Sequence, residues 1–205
     1  MEDLVFEELK KLFKGTGFRI YMVGGTVRDL LLGLKVADYD FVTDATPDEM
    51  KGFLPGISSV FAKFGCVRMK ISGYDVDITT LREEGEYDDS RHPSYVKFVK
   101  DLEIDYRRRD FTINGMYIDE DYKLIDLCGG LSDLNNKIIR FIGDPETRIK
   151  EDPLRILRAK RFAMLFGFEI EEKSKKALEM NMSLLEKLNP EKIKEEERKA
   201  KRSII

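Results

Sequence analysis

The 205-residue chain has no tryptophan and no glutamine, a single histidine and two cysteines. With His92 alone, a histidine-rich zinc cluster is excluded, and a His-dependent triad would have to use that one residue, which sits in a polar loop and reads as chemically idle. Cys66 and Cys128 lie far apart and form no CxxC, so they read as buried thiols of a reducing compartment rather than a disulfide or a zinc site. No apolar run approaches the length of a membrane span, and residues 1–14 are charged throughout, without the apolar core of a signal peptide. The expectation is a cytoplasmic chain with no membrane partner. A large net charge is also missing: the formal balance is −3, so bulk charge does not announce a nucleic-acid binder.

What is present is charge of both signs, 37% of residues, on an ordinary 42% of apolar ones, enough for a real core. The Lys- and Glu-rich mix without Gln is that of many hyperthermophile proteins. The two signs are unevenly spread. Residues 1–151 hold 22 Lys and Arg against 29 Asp and Glu, whereas residues 152–205 hold 14 against 10. An acidic first part suits metal binding and a more basic second part suits phosphate contact, although solvated helices explain the second part almost as well.

Periodicity predicts a mixed α/β part over 1–142 and an all-α part over 143–205. A helix over 3–14 stops at Gly15 and Gly17, and 18–23 is a buried strand broken by Gly24-Gly25. A helix over 26–32 stops at Gly33, and 38–43 alternates as a strand. Pro47 opens a short helix with Thr46 as N-cap. Strands are expected at 59–63, 66–71 and 74–80, the last two joined by a Ser72-Gly73 hairpin turn. Residues 82–97 read as a mobile loop and 109–116 as a short helix. Strands at 123–126 and 138–142 follow, then helices over 152–166, ended by Gly167, and 171–187, and a third from Pro190.

Several constellations carry chemistry. Gly24 and Gly25 sit between a strand and a helix that bears Arg28. Glycine lets a phosphate approach the helix N-terminus closely, and Arg28 can reach back over the same ligand; a tight turn alone would look the same, and neither a P-loop nor GxGxxG is present. Asp38 and Asp40 share one face of a strand. Two such carboxylates repel unless a cation lies between them, though a bare DxD also suits a solvent-facing edge. Asp75 and Asp77 share a face of the 74–80 strand, and either could add a third carboxylate. Three carboxylates near a glycine turn, with no His ligands, point to hard cations such as Mg²⁺ and resemble a two-metal site for phosphoryl or nucleotidyl transfer. Arg107-Arg108-Arg109-Asp110 reads either as a solvated patch, as three consecutive arginines are in most proteins, or as an Arg beside Asp that offers a planar fork to a sugar or phosphate. Finally, Asp152, Arg155, Arg158 and Arg161 recur every three residues on the expected 152–166 helix, either as ion pairs of an amphipathic helix or as a row of donors and one acceptor facing a nucleobase.

Together these segments resemble the class II tRNA nucleotidyltransferases (CCA-adding enzymes) and bacterial poly(A) polymerases. VGGTVRDLLLGLKVADYDFVT matches that family's first motif, and DITTLREEGEYDDSRHPSYVKF resembles the strand and loop that follow. RRDFTINGM resembles the second motif, with Gly115 where Ala is usual in CCA-adding enzymes and Ser in many poly(A) polymerases. LIDLCGGLSDL resembles the third, with Cys128 in place of an aromatic, and EDPLRILRAKRFAMLFGF the fourth. LNPEKIKEE resembles the start of the fifth.

The resemblance implies a polymerase-β-like nucleotidyltransferase head of α/β (α+β) class with a mixed sheet, over 1–142, and a helical neck over 143–205. It implies that Asp38 and Asp40 hold two Mg²⁺ ions and that Asp77, rather than Asp75, is the third catalytic carboxylate. Gly24, Gly25 and Arg28 would meet the triphosphate, and Arg109 with Asp110 the ribose. Asp152 and Arg155 would read the base edge of CTP or ATP, supported by Arg158 and Arg161. The implied reaction is template-independent addition of CMP and AMP to the 3′ end of tRNA, as CCA or a terminal A. Poly(A) addition, or a silent nucleotide-binding module, is the alternative. The implied partners are the tRNA 3′ end and nucleoside triphosphates. Because the family's body and tail do not follow residue 205, the expectation is either a fragment of a longer protein or a minimal form whose partner supplies them, with a homo-oligomer as a further candidate assembly.

Overall fold

The computed structural model describes residues 3–85 and 94–202. Compact packing divides the chain into two units: 1–84 with 96–108 and 114–127, and 85–95 with 109–113 and 128–205.

The first unit opens with α1 (Leu4–Phe13), capped by the Asp3 carboxylate, which accepts from the Phe6 amide at 3.0 Å. It continues through β1 (Ile20–Val23), α2 (Gly25–Leu31), β2 (Tyr39–Thr43), α3 (Pro47–Lys51), β3 (Cys66–Ile71), β4 (Tyr74–Thr80), β5 (Arg82–Glu84), β6 (Val96–Phe98), α4 (Leu102–Asp105), β7 (Met116–Ile118) and β8 (Leu124–Asp126). Six strands form one mixed sheet in the order β3-β4-β2-β1-β7-β8, in which only β2 and β4 run parallel. β5 and β6 pair separately. β1 is buried on both faces, as its unbroken apolar run requires. In β2 the Tyr39 and Phe41 side chains are buried and Asp40 is exposed, the alternation its sequence predicts. Phe6 of α1 packs on Phe41 with ring centroids 5.3 Å apart.

Several local signals act as expected. Thr46 and Glu49 form a reciprocal capping box at α3. Ser72 and Gly73 both take positive φ, as a two-residue hairpin turn between β3 and β4 demands. Other expectations fail. Residues 59–63 are not a strand: Val60 is 74% exposed and Phe61 49%, only Ser58 bridges to Arg68, and 62–64 form a 3₁₀ turn. The expected helix at 109–116 shrinks to a 3₁₀ turn at Thr112–Asn114 before β7. Of the expected loop at 82–97, the two ends pair as β5 and β6; residues 86–93, with His92, lie outside the described residues.

The second unit contains α5 (Gly130–Asn135), β9 (Ile138–Ile139), α6 (Pro145–Glu151), α7 (Leu154–Phe166), β10 (Glu169–Ile170), α8 (Glu172–Met180) and α9 (Pro190–Arg202). β9 and β10 pair in parallel. Residues 109–113 belong here because Phe111, fully buried, packs on Phe141 and Phe162 with centroids 4.8 and 5.8 Å away. α7 ends at Gly167 in the left-handed conformation, a position that suits glycine best. α6 arises from an unheeded signal, Asp144 as N-cap with Pro145 at the first helical position. The expected 171–187 helix breaks at Asn181 and continues as a 3₁₀ helix. Both cysteines are free and half-buried rather than buried; burial nonetheless pushes the Cys66 thiol up from its ordinary value.

Candidate active site

In the first unit, the chain leaves β1 through Gly24, whose φ of 67° and ψ of −133° disfavour a side chain. The first turn of α2 follows at once. A Cβ on Gly25 would lie 3.4 Å from the Arg28 guanidinium, so Arg28 folds back over this turn as expected. Its Nη1 donates to Asn114 Oδ1 at 2.7 Å and its Nε to Asp29 Oδ1 at 2.8 Å, which fixes the fork. Asn114 has no role in the sequence reading.

Thr26 ties this turn to the carboxylates. Its hydroxyl accepts from the Asp40 amide at 2.8 Å and donates to the Asp38 carbonyl at 3.4 Å. Asp38 sits one residue before β2, and Asp40 is the second residue of the strand; both side chains are exposed. Asp40 lies directly opposite Asp77 in the parallel β2–β4 register. Asp38, Asp40, Asp75 and Asp77 line one cavity of about 330 Å³ with Tyr39 and Arg68.

Two of the four acids are engaged from the edge strand β3. Arg68 holds Asp77 through two parallel bonds, Nε to Oδ1 and Nη2 to Oδ2, each 2.6 Å. These bonds raise the Arg68 guanidinium above its ordinary value. Lys70 pairs with Asp75 at 2.8 Å, and its hydrogen bond lowers the Asp75 carboxyl. Arg68 is the residue sequence reading missed. Counting back from the Ser72-Gly73 turn would have found it, because each step away from the turn pairs one residue of β3 with one of β4, and the fourth pair is Arg68 with Asp77.

The donors are all carboxylate oxygens, the chemistry of a hard divalent cation. Among the described residues, no group of three or more His, Cys, Asp or Glu side chains converges to hold a metal ion, and Asp77 faces Arg68. The residues nevertheless fit such an ion through Asp38 and Asp40, which are exposed and line the same cavity.

The second unit carries the remaining expected residues. The Asp110 carboxylate accepts from the Phe111 amide at 2.8 Å and from Arg158 Nε and Nη2 at 2.8 and 2.5 Å. The Arg109 carbonyl accepts from Arg148 Nη2 at 3.0 Å. Asp152 is not on a helix. It lies in extended conformation between α6 and α7, and its carboxylate accepts from the Leu154 amide at 3.0 Å. The expected single helix over 152–166 is therefore corrected: Glu151 ends α6, α7 starts at Leu154, and Asp152 stands outside the helix that bears the three arginines.

Arg155, 6% exposed, donates to Glu151 Oε2 and to the Arg148 carbonyl, both at 2.7 Å. Arg161 pairs with Glu196 of α9 at 3.1 Å and stacks over Phe162 at 4.5 Å, which binds two helices together. The structure thus brings Asp110 and Arg158 into one cluster and Arg155 and Arg148 into another around Glu151. Arg148, Glu151 and Glu196 carried no expectation.

An acid-bearing mixed sheet beside a glycine turn, followed in sequence by arginine-bearing helices, defines an α/β head with a helical continuation. Residues 20–140 match the Poly A polymerase head domain, and the chain belongs to that family. The CCA-adding enzyme of Lactobacillus helveticus is 44% identical over 180 residues, 88% of this chain and 45% of that protein. The crystal structure of the Bacillus stearothermophilus CCA-adding enzyme in complex with CTP superposes with a TM-score of 0.87 at 35% identity, over 98% of this chain and 49% of that one. The Thermotoga maritima CCA-adding enzyme complexed with tRNA gives 0.73 at 32% identity, over 93% and 45%. The chain spans about half the length of the curated relatives it matches.

Proposed function

We propose that the chain is the nucleotidyl-transferring part of a CCA-adding enzyme, moving CMP and AMP from CTP and ATP to the 3′ end of tRNA. The observation that carries this reading is the register of Asp40 against Asp77 in a cavity shared with Asp38, on a chain whose relatives at 42–44% identity are CCA-adding enzymes. The wider assignments belong to the same reading: a magnesium-dependent, ATP- and RNA-binding transferase of tRNA processing, working in the cytoplasm, with a head over 1–142 and a neck over 143–205. Among the described residues, no helix is long and apolar enough to cross a membrane.

Asp38 and Asp40 would hold Mg²⁺, two ions in the full reaction, which supply charge neutralisation to the triphosphate and the departing pyrophosphate. The protein's own part is positioning. Thr26 fixes the backbone from which both carboxylates project. Asp77 would join them as the third catalytic carboxylate, beside which the attacking 3′-hydroxyl loses its proton. Gly24, Gly25 and Arg28 would receive the triphosphate, with Arg28 aimed by Asn114 and Asp29. Arg109 and Asp110 would meet the ribose. Asp152 and Arg155 would present an acceptor and a donor to the base edge, with Arg158 and Arg161 in support. Catalysis of this kind rests on alignment and charge placement.

The test is 3′-end labelling of tRNA lacking its terminal A and of tRNA lacking CCA, with each α-labelled triphosphate and Mg²⁺, beside a poly-purine RNA. Incorporation of a single A, or of C, C and then A, into the tRNAs alone supports the proposal and shows which part the chain performs. Long A tails on the poly-purine RNA would instead make it a poly(A) polymerase. Triphosphate binding without incorporation into any RNA would refute a self-sufficient enzyme.

A further inference from the structure

Four carboxylates line the cavity of the first unit, yet they are not equivalent. Asp77 is the one opposite Asp40, and it is also the one gripped by a bidentate guanidinium. Arg68 is built into place from both sides. Its amide and carbonyl bond to Ser58, at 3.1 Å and 2.7 Å, so they point away from β4. Arg68 and Asp77 therefore form a non-hydrogen-bonded antiparallel pair, the kind that brings side chains closest. The fork then reaches both oxygens of Asp77, and each bond is charge-assisted.

A carboxylate whose two oxygens are both taken by an arginine cannot give the same lone pairs to a metal ion. Lys70 offers a comparison within the same strand. It carries the same charge on the same face of β3, but its partner is Asp75, which does not face Asp40.

We propose that Arg68 is a positioning residue, the resident counter-cation of Asp77, which competes with the divalent metal for that carboxylate. The inference rests on the metal reading given above. In the metal-free protein the Arg68 fork neutralises Asp77 and lowers the repulsion between Asp77 and Asp40 across the register. On metal binding Asp77 turns from the guanidinium toward the ion, and the energy of the Arg68–Asp77 pair opposes that turn. Arg68 thereby sets the metal concentration at which the third carboxylate joins the site.

The experiment is Mn²⁺ titration of the full 205-residue protein, followed by the electron paramagnetic resonance signal of free Mn²⁺, without nucleotide or RNA. The set comprises wild type, Arg68→Gln, Lys70→Gln, Asp77→Asn, and Arg68→Gln combined with Asp77→Asn. The Arg68 side chain is half exposed, and a thermal melt checks that each variant folds. The expected result is Mn²⁺ binding roughly three- to tenfold tighter in Arg68→Gln, the scale of one partly exposed charge pair. The gain should vanish in the Asp77→Asn background and be small in Lys70→Gln. An equal gain from Lys70→Gln would reduce the effect to general charge removal and overturn the proposal. Unchanged or weaker binding in Arg68→Gln would overturn it too while leaving the metal reading in place. Absence of Mn²⁺ binding in every one of these proteins would overturn both.

Discussion

Replacing Thr26 by Val tests whether the glycine turn and the acidic strand work as one piece. Valine keeps the shape of threonine, and Thr26 is 1% exposed, so packing should survive. What is lost is the hydroxyl that accepts from the Asp40 amide at 2.8 Å and donates to the Asp38 carbonyl at 3.4 Å. The first bond has good length; the second is long and contributes little. Losing one sound hydrogen bond and leaving its donor to find water costs about 1–2 kcal/mol. For a protein of this size that corresponds to a fall in Tm of roughly 2–8 °C. The larger consequence should be positional. Once the start of β2 is no longer stitched to α2, the two carboxylates sample more orientations, and a site held loosely binds its ion more weakly. Thermal melting followed by Mn²⁺ titration reads both effects, with Thr26→Ser expected to recover most of the loss. Wild-type melting and wild-type Mn²⁺ affinity in Thr26→Val would refute the reasoning. A lower Tm with unchanged affinity would confine Thr26 to stability.

Asp40→Ala should abolish nucleotide incorporation with the fold intact, because the side chain is exposed; turnover near wild type would remove the metal assignment. Arg155→Ala should lose discrimination among the four triphosphates while Mn²⁺ binding is kept, and Glu151 retains Arg148 as a partner in that variant; unchanged selectivity would count against base reading by Arg155. Asp144 caps α6, and bonds from the Thr147 amide and Lys173 hold its carboxyl down at about 2, below the ordinary 3.8. A depressed carboxyl stabilises the fold above its unfolded pKa and loses that contribution as pH falls through the folded one. Wild type should therefore lose Tm more steeply than Asp144→Asn between about pH 4 and pH 2, and parallel curves would sink the assignment.

The features legible in sequence are those written in local signals. The Gly24 turn, the Tyr39–Phe41 alternation, the Thr46–Pro47 helix start, the Ser72-Gly73 hairpin and the Gly167 stop each follow from residues within a few positions. What escaped depends on distant partners. The Thr112 hydroxyl donates to Asp133 at 2.7 Å, and Phe111 is buried by Phe141 and Phe162, so tertiary packing overrides the helical period at 109–116. Val60 and Phe61 imitate a strand by composition, but only backbone pairing makes one. Asn181 breaks the 171–187 helix by turning its amide back onto the Ala177 carbonyl at 2.9 Å. In the site, carboxylates at strand spacing were visible, whereas Arg68, Asn114 and Glu151 act across strands or between helices. The hairpin register displays Arg68, and the i,i+3 and i,i+4 spacing to Arg148 and Arg155 displays Glu151, while no spacing rule along the chain displays Asn114.

The order of strands in the sheet also governs how the first unit comes together. β1 pairs on one side with β2, about twenty residues later, and on the other with β7, Met22 lying opposite Ile118. Closing that second pairing spans nearly half the sequence, and such distant closures are slow. Until 116–118 arrive, β1 offers an apolar strand with an open edge, a template for pairing with another chain. During synthesis the acidic strands can therefore pair early, but the glycine turn that ends β1 is held in a finished sheet only after Ile118 has emerged. A ribosome-stalled series lengthened until Ile118 passes from inside to outside the exit tunnel should go from aggregation-prone to protease-resistant at that point.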